Sequence, residues 1–289
     1  MELPLVVGVD GSEPSLRAVD WAADEAALRG LPLRLVYASL WERYEGVSLA
    51  QDLDKPTEQV MAEDIVDAAA RRAHRRQADV KVTTDVVPEE PEYALVRESR
   101  SASAMVLGSR GRSGMAEALL GSVSMTVAGH AHCPVIVLRG GHDNQVRSGA
   151  GRILLGVGEK DADSAAVRFA VEEAQRRGVP LEAVRAWRCP AHESTDHPLL
   201  SGEPARLHEE RARAELDAAL PDVPAGVEVQ CRTVEGHARR VLLDASYGAD
   251  LLVVGARRRE SSFGLQLGRV AHAVLLHSAC PVAVVPQRA

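Results

Sequence analysis

The order of apolar and polar positions divides this chain into short apolar runs and longer amphipathic segments. Residues 5–9 form an apolar run of the length of a buried strand. Leu16, Val19, Ala22, Ala23 and Ala26 then recur at the spacing of one helix face. Further along, residues 33–38, 80–87, 104–107 and 135–138 read as strands. Residues 57–77, 91–100 and 122–130 read as helices. Apolar strands alternating with helical segments predict βαβ units and a parallel sheet covered by helices on both faces.

The same pattern then runs a second time. "LVVGVDGSEPSLRAVDWAADEAALRGLPLRLVYA" (5–38) lines up with "LLGVGEKDADSAAVRFAVEEAQRRGVPLEAVRA" (154–186), and "HCPVIVL" (132–138) with "ACPVAVV" (279–285). In the second copy strands are predicted at 152–157, 181–186, 227–234, 251–254 and 282–285. Helices are predicted at 164–177, 203–220, 237–246 and 268–276. A period this long marks a duplicated domain rather than a solenoid. The expected domains are residues 1–140 and 152–289, joined by a Gly-, Ser-, Asn- and Asp-rich linker at 141–151.

Composition narrows the classes. The 289 residues, 46% hydrophobic and 26% charged, suit two soluble globular domains. The beginning of the chain lacks the pattern of a secretory signal, and no apolar stretch approaches ~20 residues. The four dispersed cysteines do not make a disulfide framework. A cytoplasmic protein with no membrane partner is expected. A net charge of −7, with two Phe, four Tyr and three Trp, argues against a nucleic-acid partner. The arginine-rich 70–77 reads as a solvated helix face.

The chemistry concentrates in "GSRGRSGMAEALLGS" (108–122). Gly108, Gly111 and Gly114 fall at every third position just past the predicted strand 104–107. Gly121 and Ser122 open the next helix. In parallel sheets ligands bind beyond the carboxyl ends of the strands. A helix start offers free N–H groups and a positive dipole end. Backbone that can be closely approached, beside a helix start, points to phosphate. Ser122 and Ser124 offer hydroxyl donors, and Arg110 and Arg112 offer charge at the rim. A tight connection between strand and helix is an equal reading of the glycines alone. The stretch is neither a Walker loop nor a G-x-G-x-x-G fingerprint.

The spacing Gly108-x2-Gly111-x9-Gly121-Ser122 resembles the ATP-binding pattern G-x2-G-x9-G-(S/T) of the universal stress protein family. "VLGSRGRSG", "LLGSVSMTVAGHAHCPVIVL" and "VVGVDGSEPS" resemble further segments of that family, in the same order. The resemblance extends over both copies. It implies two tandem Rossmann-like domains, of the adenine nucleotide α-hydrolase-like kind, each a five-stranded parallel sheet of order 3-2-1-4-5. It implies ATP as ligand, with Mg²⁺ accompanying it. Adenine and ribose would lie near Gly8, Val9 and Asp10 and the backbone from Val36 to Ala38. The phosphates would lie against Gly108, Ser109, Arg110, Gly111, Arg112, Ser113 and Gly114, and against Gly121, Ser122, Val123 and Ser124. Asp10 at a strand end can accept a ribose or adenine hydrogen bond, or it caps the helix that follows.

The second copy departs from this pattern. Gly111 is replaced by Arg258, Ser122 by Arg269 and Asp10 by Gly158. Arg257, Arg258, Arg259 and Arg269 either bind a smaller polyanion or pair with Glu159, Asp161 and Asp163 and plug the site. The resulting expectation is a nucleotide-dependent stress-response regulator with ATP in the first domain and a scaffold second half. A homodimer and a downstream protein partner are expected with it. A slow ATPase or phosphotransferase is the alternative, but no base, loop lysine or acidic pair supports fast turnover. His130, His132, Cys133 and His142 include zinc-ligand types without paired spacing; the first two histidines read as a helix end. Cys133 and Cys280 read as buried apolar residues.

Overall fold

The computed structural model describes residues 2–40, 57–109, 120–139, 151–158, 164–190, 203–220, 223–257 and 267–287. They fall into two compact units, one running up to Arg139 and the other from residue 151 onward.

In unit 1 the strands are β1 (Leu5–Gly8), β2 (Leu33–Ala38), β3 (Val82–Val87), β4 (Ala104–Leu107) and β5 (Val135–Val137). The helices are α1 (Glu13–Arg29), α2 (Thr57–Arg76), α3 (Pro91–Glu98) and α4 (Ser122–His130). The sheet order is β3-β2-β1-β4-β5, with parallel neighbours throughout. Unit 2 repeats it with β6 (Ile153–Gly156), β7 (Leu181–Trp187), β8 (Val229–Glu235), β9 (Leu251–Arg257) and β10 (Val282–Gln287). Its helices are α5 (Ala165–Arg177), α6 (Glu203–Ala219), α7 (Ala238–Ser246) and α8 (Arg269–His277). The order here is β8-β7-β6-β9-β10, again parallel.

The expected strands and helices recur among the described residues, with shifted ends. The strand expected at 80–87 begins at Val82, because Val80 is buried in the turn that closes α2, its N–H on the Gln77 carbonyl. The helix expected at 91–100 stops at Glu98 and tightens into a 3₁₀ turn over Ser99–Ser101. Here the Ser99 hydroxyl donates to the Val96 carbonyl and accepts from the His132 N–H. Strands β9 and β10 run on to Arg257 and Gln287, because their ladder continues through Gly255, Ala256 and Arg257.

Both first helices are delimited by the same local chemistry. Ser12 caps α1 and Ser164 caps α5, each hydroxyl accepting from the N–H three residues on. Gly30 and Gly178 end them in the left-handed region (φ +67 and +64), which a side chain disfavours. The buried cores consist of the strands' apolar residues, from Leu5 and Ile136 in unit 1 to Ile153 and Val284 in unit 2. Trp21 and Phe169 lie over them from α1 and α5.

Two features cross this apolar pattern. Glu25 and Arg29 form an i,i+4 ion pair buried in α1, and Glu173 and Arg177 repeat it in α5 at 0% and 1% side-chain exposure. The arginine-rich face of α2 is only partly solvated. Arg72 forks onto Asp20 of α1 at 2.8 and 2.6 Å, and Arg76 reaches Asp24 at 2.7 Å. The Asp20 hydrogen bond holds the Arg72 pKa above its ordinary value against the cost of burial. The reading of this segment as a solvated face is corrected to that extent: two of its arginines clamp α2 to α1.

Candidate functional site

The sheet order places the functional question at one edge. Strand β1 is followed by a crossover to β2 on one side, while β4 pairs with its other side, so the carboxyl ends of β1 and β4 border a topological switch point. A cleft opens there. Gly8, Val9 and Asp10 from the end of β1, Val36 and Ala38 from β2, and Gly108 after β4 line it. The start of α4 closes it with Gly121, Ser122, Val123 and Ser124. Ser109 is described but does not line the cleft; Arg110, Gly111, Arg112, Ser113 and Gly114 lie outside the described residues.

The chain also contributes Ser15, Pro91, Leu95 and Leu107 to this wall. Sequence reading passed over them because three are ordinary core or helix-start residues. The signal available for Leu107 was its place as the last strand residue before the glycines.

The ends of the glycine-rich segment are tied together. The Gly121 N–H donates to the Ser109 carbonyl at 2.9 Å, and the buried Ser124 hydroxyl donates to the Gly108 carbonyl at 2.7 Å. The Ser124 proton is therefore spent on the loop, which changes its expected part from phosphate donor to brace. Gly108 has a packing reason to be glycine. A Cβ there would come within 2.7 Å of the Pro14 carbonyl carbon and 2.8 Å of its oxygen. The strand end is seated directly on the first turn of α1.

The α4 start carries the electrostatics. Its cap residue is Gly121, and no side chain caps the helix. The N–H groups of Ser122, Val123 and Ser124 consequently face no intrahelical carbonyl and present a partial positive charge to the cleft. The exposed Ser122 hydroxyl points to Glu92, donating to Oε1 at 3.2 Å. Asp10 does not cap α1; Ser12 does. The Asp10 Oδ1 instead accepts from both the Ser12 N–H (3.0 Å) and the Ser12 hydroxyl (2.6 Å), holding the loop after β1 in an Asx turn at the cleft wall.

Unit 2 arranges its edge differently. A cavity lies beyond the end of β7, lined by Arg185–Arg188, by α6, and by the starts of α7 and α8. Neither the β6 end (Gly156, Val157, Gly158) nor the β9 end contributes to its described lining. Of the arginines singled out from sequence, Arg269 borders this cavity. Arg258, Arg259 and their suggested partners Glu159, Asp161 and Asp163 lie outside the described residues, as does the side chain of Arg257.

The His130 ring nitrogen bonds the Thr126 carbonyl in the last turn of α4, and Arg100 donates to His132. His142 lies outside the described residues, among which no cluster of three metal-ligand side chains occurs. Cys133 and Cys280 are buried, and burial pushes their thiols up to about 12 and about 11. No described helix is long and apolar enough to cross a membrane.

Comparison with known proteins adds the following. The sequence model of the universal stress protein family matches residues 3–139 and again 149–286. A universal stress protein of Mycobacterium tuberculosis is 32% identical over 304 residues, covering 98% of this chain and 97% of that protein. A second from the same species is 30% identical over 299 residues, with 98% and 96% coverage. Among solved structures, a universal stress protein from Archaeoglobus fulgidus superposes with a TM-score of 0.66 at 21% identity, covering 98% of both chains; that likeness concerns the fold.

Proposed function

The chain belongs to the universal stress protein family, with the family domain present twice, and from that premise we propose that unit 1 binds ATP and acts as a nucleotide-dependent stress-response regulator. The observation that carries the reading is the convergence, in one cleft, of two kinds of wall. Apolar strand-end and helix residues (Val9, Val36, Leu95, Leu107) suit a flat base. The uncapped α4 start beside Gly108 suits phosphates. In this reading Asp10 accepts from the ribose and the phosphates lie against the glycine-rich segment. Its ends are fastened by Ser109–Gly121 and Gly108–Ser124, and Arg110 and Arg112 add charge. Asp10 is the one carboxylate among the cleft's described lining residues, so Mg²⁺ would take its oxygens from the phosphates and water. Unit 2, with Gly158 for Asp10 and Arg269 for Ser122, does not repeat this nucleotide site. In this reading nucleotide occupancy of unit 1 is read by a downstream protein in the cytoplasm, and the protein works as a homodimer.

Mass spectrometry of the purified, denatured protein tests it. An adenine nucleotide is expected to co-purify, and Gly111→Arg, which imports the residue of unit 2, is expected to abolish it without unfolding the chain. Absence of any nucleotide, together with no binding of added ATP, would overturn the proposal.

A further inference from the structure

The cavity of unit 2 is larger than the unit 1 cleft, about 610 against about 180 Å³, and its chemistry is the reverse. Arg185, Arg188, Arg211 and Arg269 line it together with His208 and His237. Glu215 is the one acid among the described lining residues. It is already shared, taking Arg185 at 2.6 Å and Arg211 at 3.0 Å. The cavity thus holds an excess of guanidinium charge.

Two helix starts add to it. His237 precedes α7 and Gly268 precedes α8, and neither helix has a side-chain cap. Their first N–H groups bring partial positive charge to the same wall. The Arg188 guanidinium lies against the His237 ring, 3.2 Å from Nδ1 and 2.9 Å from Nε2, a contact that brings no carboxylate to it. The Trp187 indole nitrogen, in the cavity wall, is buried without a hydrogen-bond partner. Like charges collected on three elements around a cavity repel one another. Such an arrangement is tolerated where an anion neutralises it.

We propose that unit 2 carries a second ligand site, beyond the end of β7, for a compact polyanion of three or more negative charges without an adenine base. It lies at the carboxyl edge of the unit 2 strands, as the nucleotide cleft does in unit 1, and shares the equivalents of Ala38, Pro91 and Ser122 (Ala186, Ala238 and Arg269), but it is shifted toward α6 and differs in chemistry. Its described lining is dominated by cationic side chains, and Gly156, Val157 and Gly158, which would match Gly8–Asp10, are not part of it, although Arg185 donates to the Val157 carbonyl at 3.3 Å. Arg188 and Arg269, both exposed at the rim and free of carboxylate partners among the described residues, make the anion contacts. Arg185, 13% exposed and held by Glu215, supplies the field behind them, and the exposed Arg211 adds charge at the mouth.

The test uses the full chain carrying Gly111→Arg, so that unit 1 does not compete. Tripolyphosphate is titrated by calorimetry at low salt, with citrate in a second arm to distinguish phosphate from carboxylate. Binding of either at one site per chain is expected, weakening steeply with added salt. Adding Arg188→Ala and Arg269→Ser is expected to lower the affinity by about tenfold or more, because two charge-assisted contacts are lost. Both side chains are exposed, so the fold is expected to survive, as checked by circular dichroism. The same double substitution in an otherwise unaltered chain is expected to leave ATP binding by unit 1 unchanged, which separates failure here from failure of the nucleotide reading. No binding of either probe, or equal affinity in the double variant, would overturn the proposal.

Discussion

Unit 1 and unit 2 share strand order, helix caps and core, and differ at the one edge where a ligand can sit. Equivalent strand ends carry Asp10 in one and Gly158 in the other. Equivalent helix starts carry Ser122 and Arg269, and Ser124 is matched by Ala271, which has no hydroxyl to brace a loop. Paired positions on neighbouring strands have exchanged charge as well. Arg34 bonds Asp85 between β2 and β3, while in unit 2 Glu182 and Arg232 hold the same places with polarity reversed. The scaffold is held by features independent of the ligand edge. Ser99 and Ser246 both lock the end of a helix to the chain before the last strand. The bonds run to the Val96 carbonyl and His132 N–H in one unit, and to the Leu243 carbonyl and Ala279 N–H in the other. A duplicated fold can therefore change what it binds without losing what holds it.

The largest effect separating the units is expected at their buried ion pairs. Glu173→Ala would strand Arg177, whose side chain is 1% exposed and bonded through both Nε and Nη2, and should cost about 3–5 kcal/mol in urea unfolding. Glu25→Ala strands Arg29, whose side chain is 7% exposed and so nearer to water, and should cost less. Equal losses would show that the two pairs are interchangeable.

The next comparison is between Gly108 and Gly255. A methyl at Gly108 meets the Pro14 backbone, which cannot give way, so Gly108→Ala should cost about 1–3 kcal/mol and weaken ATP binding. At Gly255 the obstacle is the amide end of the Gln287 side chain, which can turn aside, and Gly255→Ala should cost under about 1 kcal/mol. Thermal unfolding of the two variants checks the order, and a reversal would remove the packing argument for Gly108.

The smallest effect is a pH dependence confined to unit 2. Burial alone would raise the Glu215 pKa, but the hydrogen bonds from Arg211 and Arg185 outweigh it and hold it below its ordinary value. A depressed carboxylate stabilises the fold above the usual glutamate range, and that contribution fades as pH falls through its lowered value. Glu215→Gln should therefore be less stable than the native chain at neutral pH by under about 1 kcal/mol. The gap should close on acidification. Tyr37 stands where unit 2 has Arg185, so unit 1 has no equivalent arrangement. A gap that persists in acid would contradict the assignment.

Much of this was legible in the sequence, because it depends on residues near one another along the chain. The repeat and the strands follow from periodicity and local chemistry. The cleft followed from the glycine spacing and the family resemblance. What escaped reading needed the fold to assemble it. Arg185, Arg188 and Arg211 lie on a strand, the turn after it and a helix, and nothing in their spacing foretells one cavity. Glu25 and Glu173 sit at helical positions suited to a solvated face, and only packing reveals that they are buried. Ser124 looked like a phosphate donor until the Gly108 carbonyl was found beside it.

The central claim is that one half of this chain holds an adenine base and the other does not. Photolabelling the full chain with 2-azido-ATP, followed by peptide mapping, tests it at the base itself. Label is expected on unit 1 alone, on peptides containing Val9, Val36 or Leu95, with protection by unmodified ATP. Comparable, ATP-protected label on the unit 2 peptides that contain Val157, Val184 or Leu242 would contradict it.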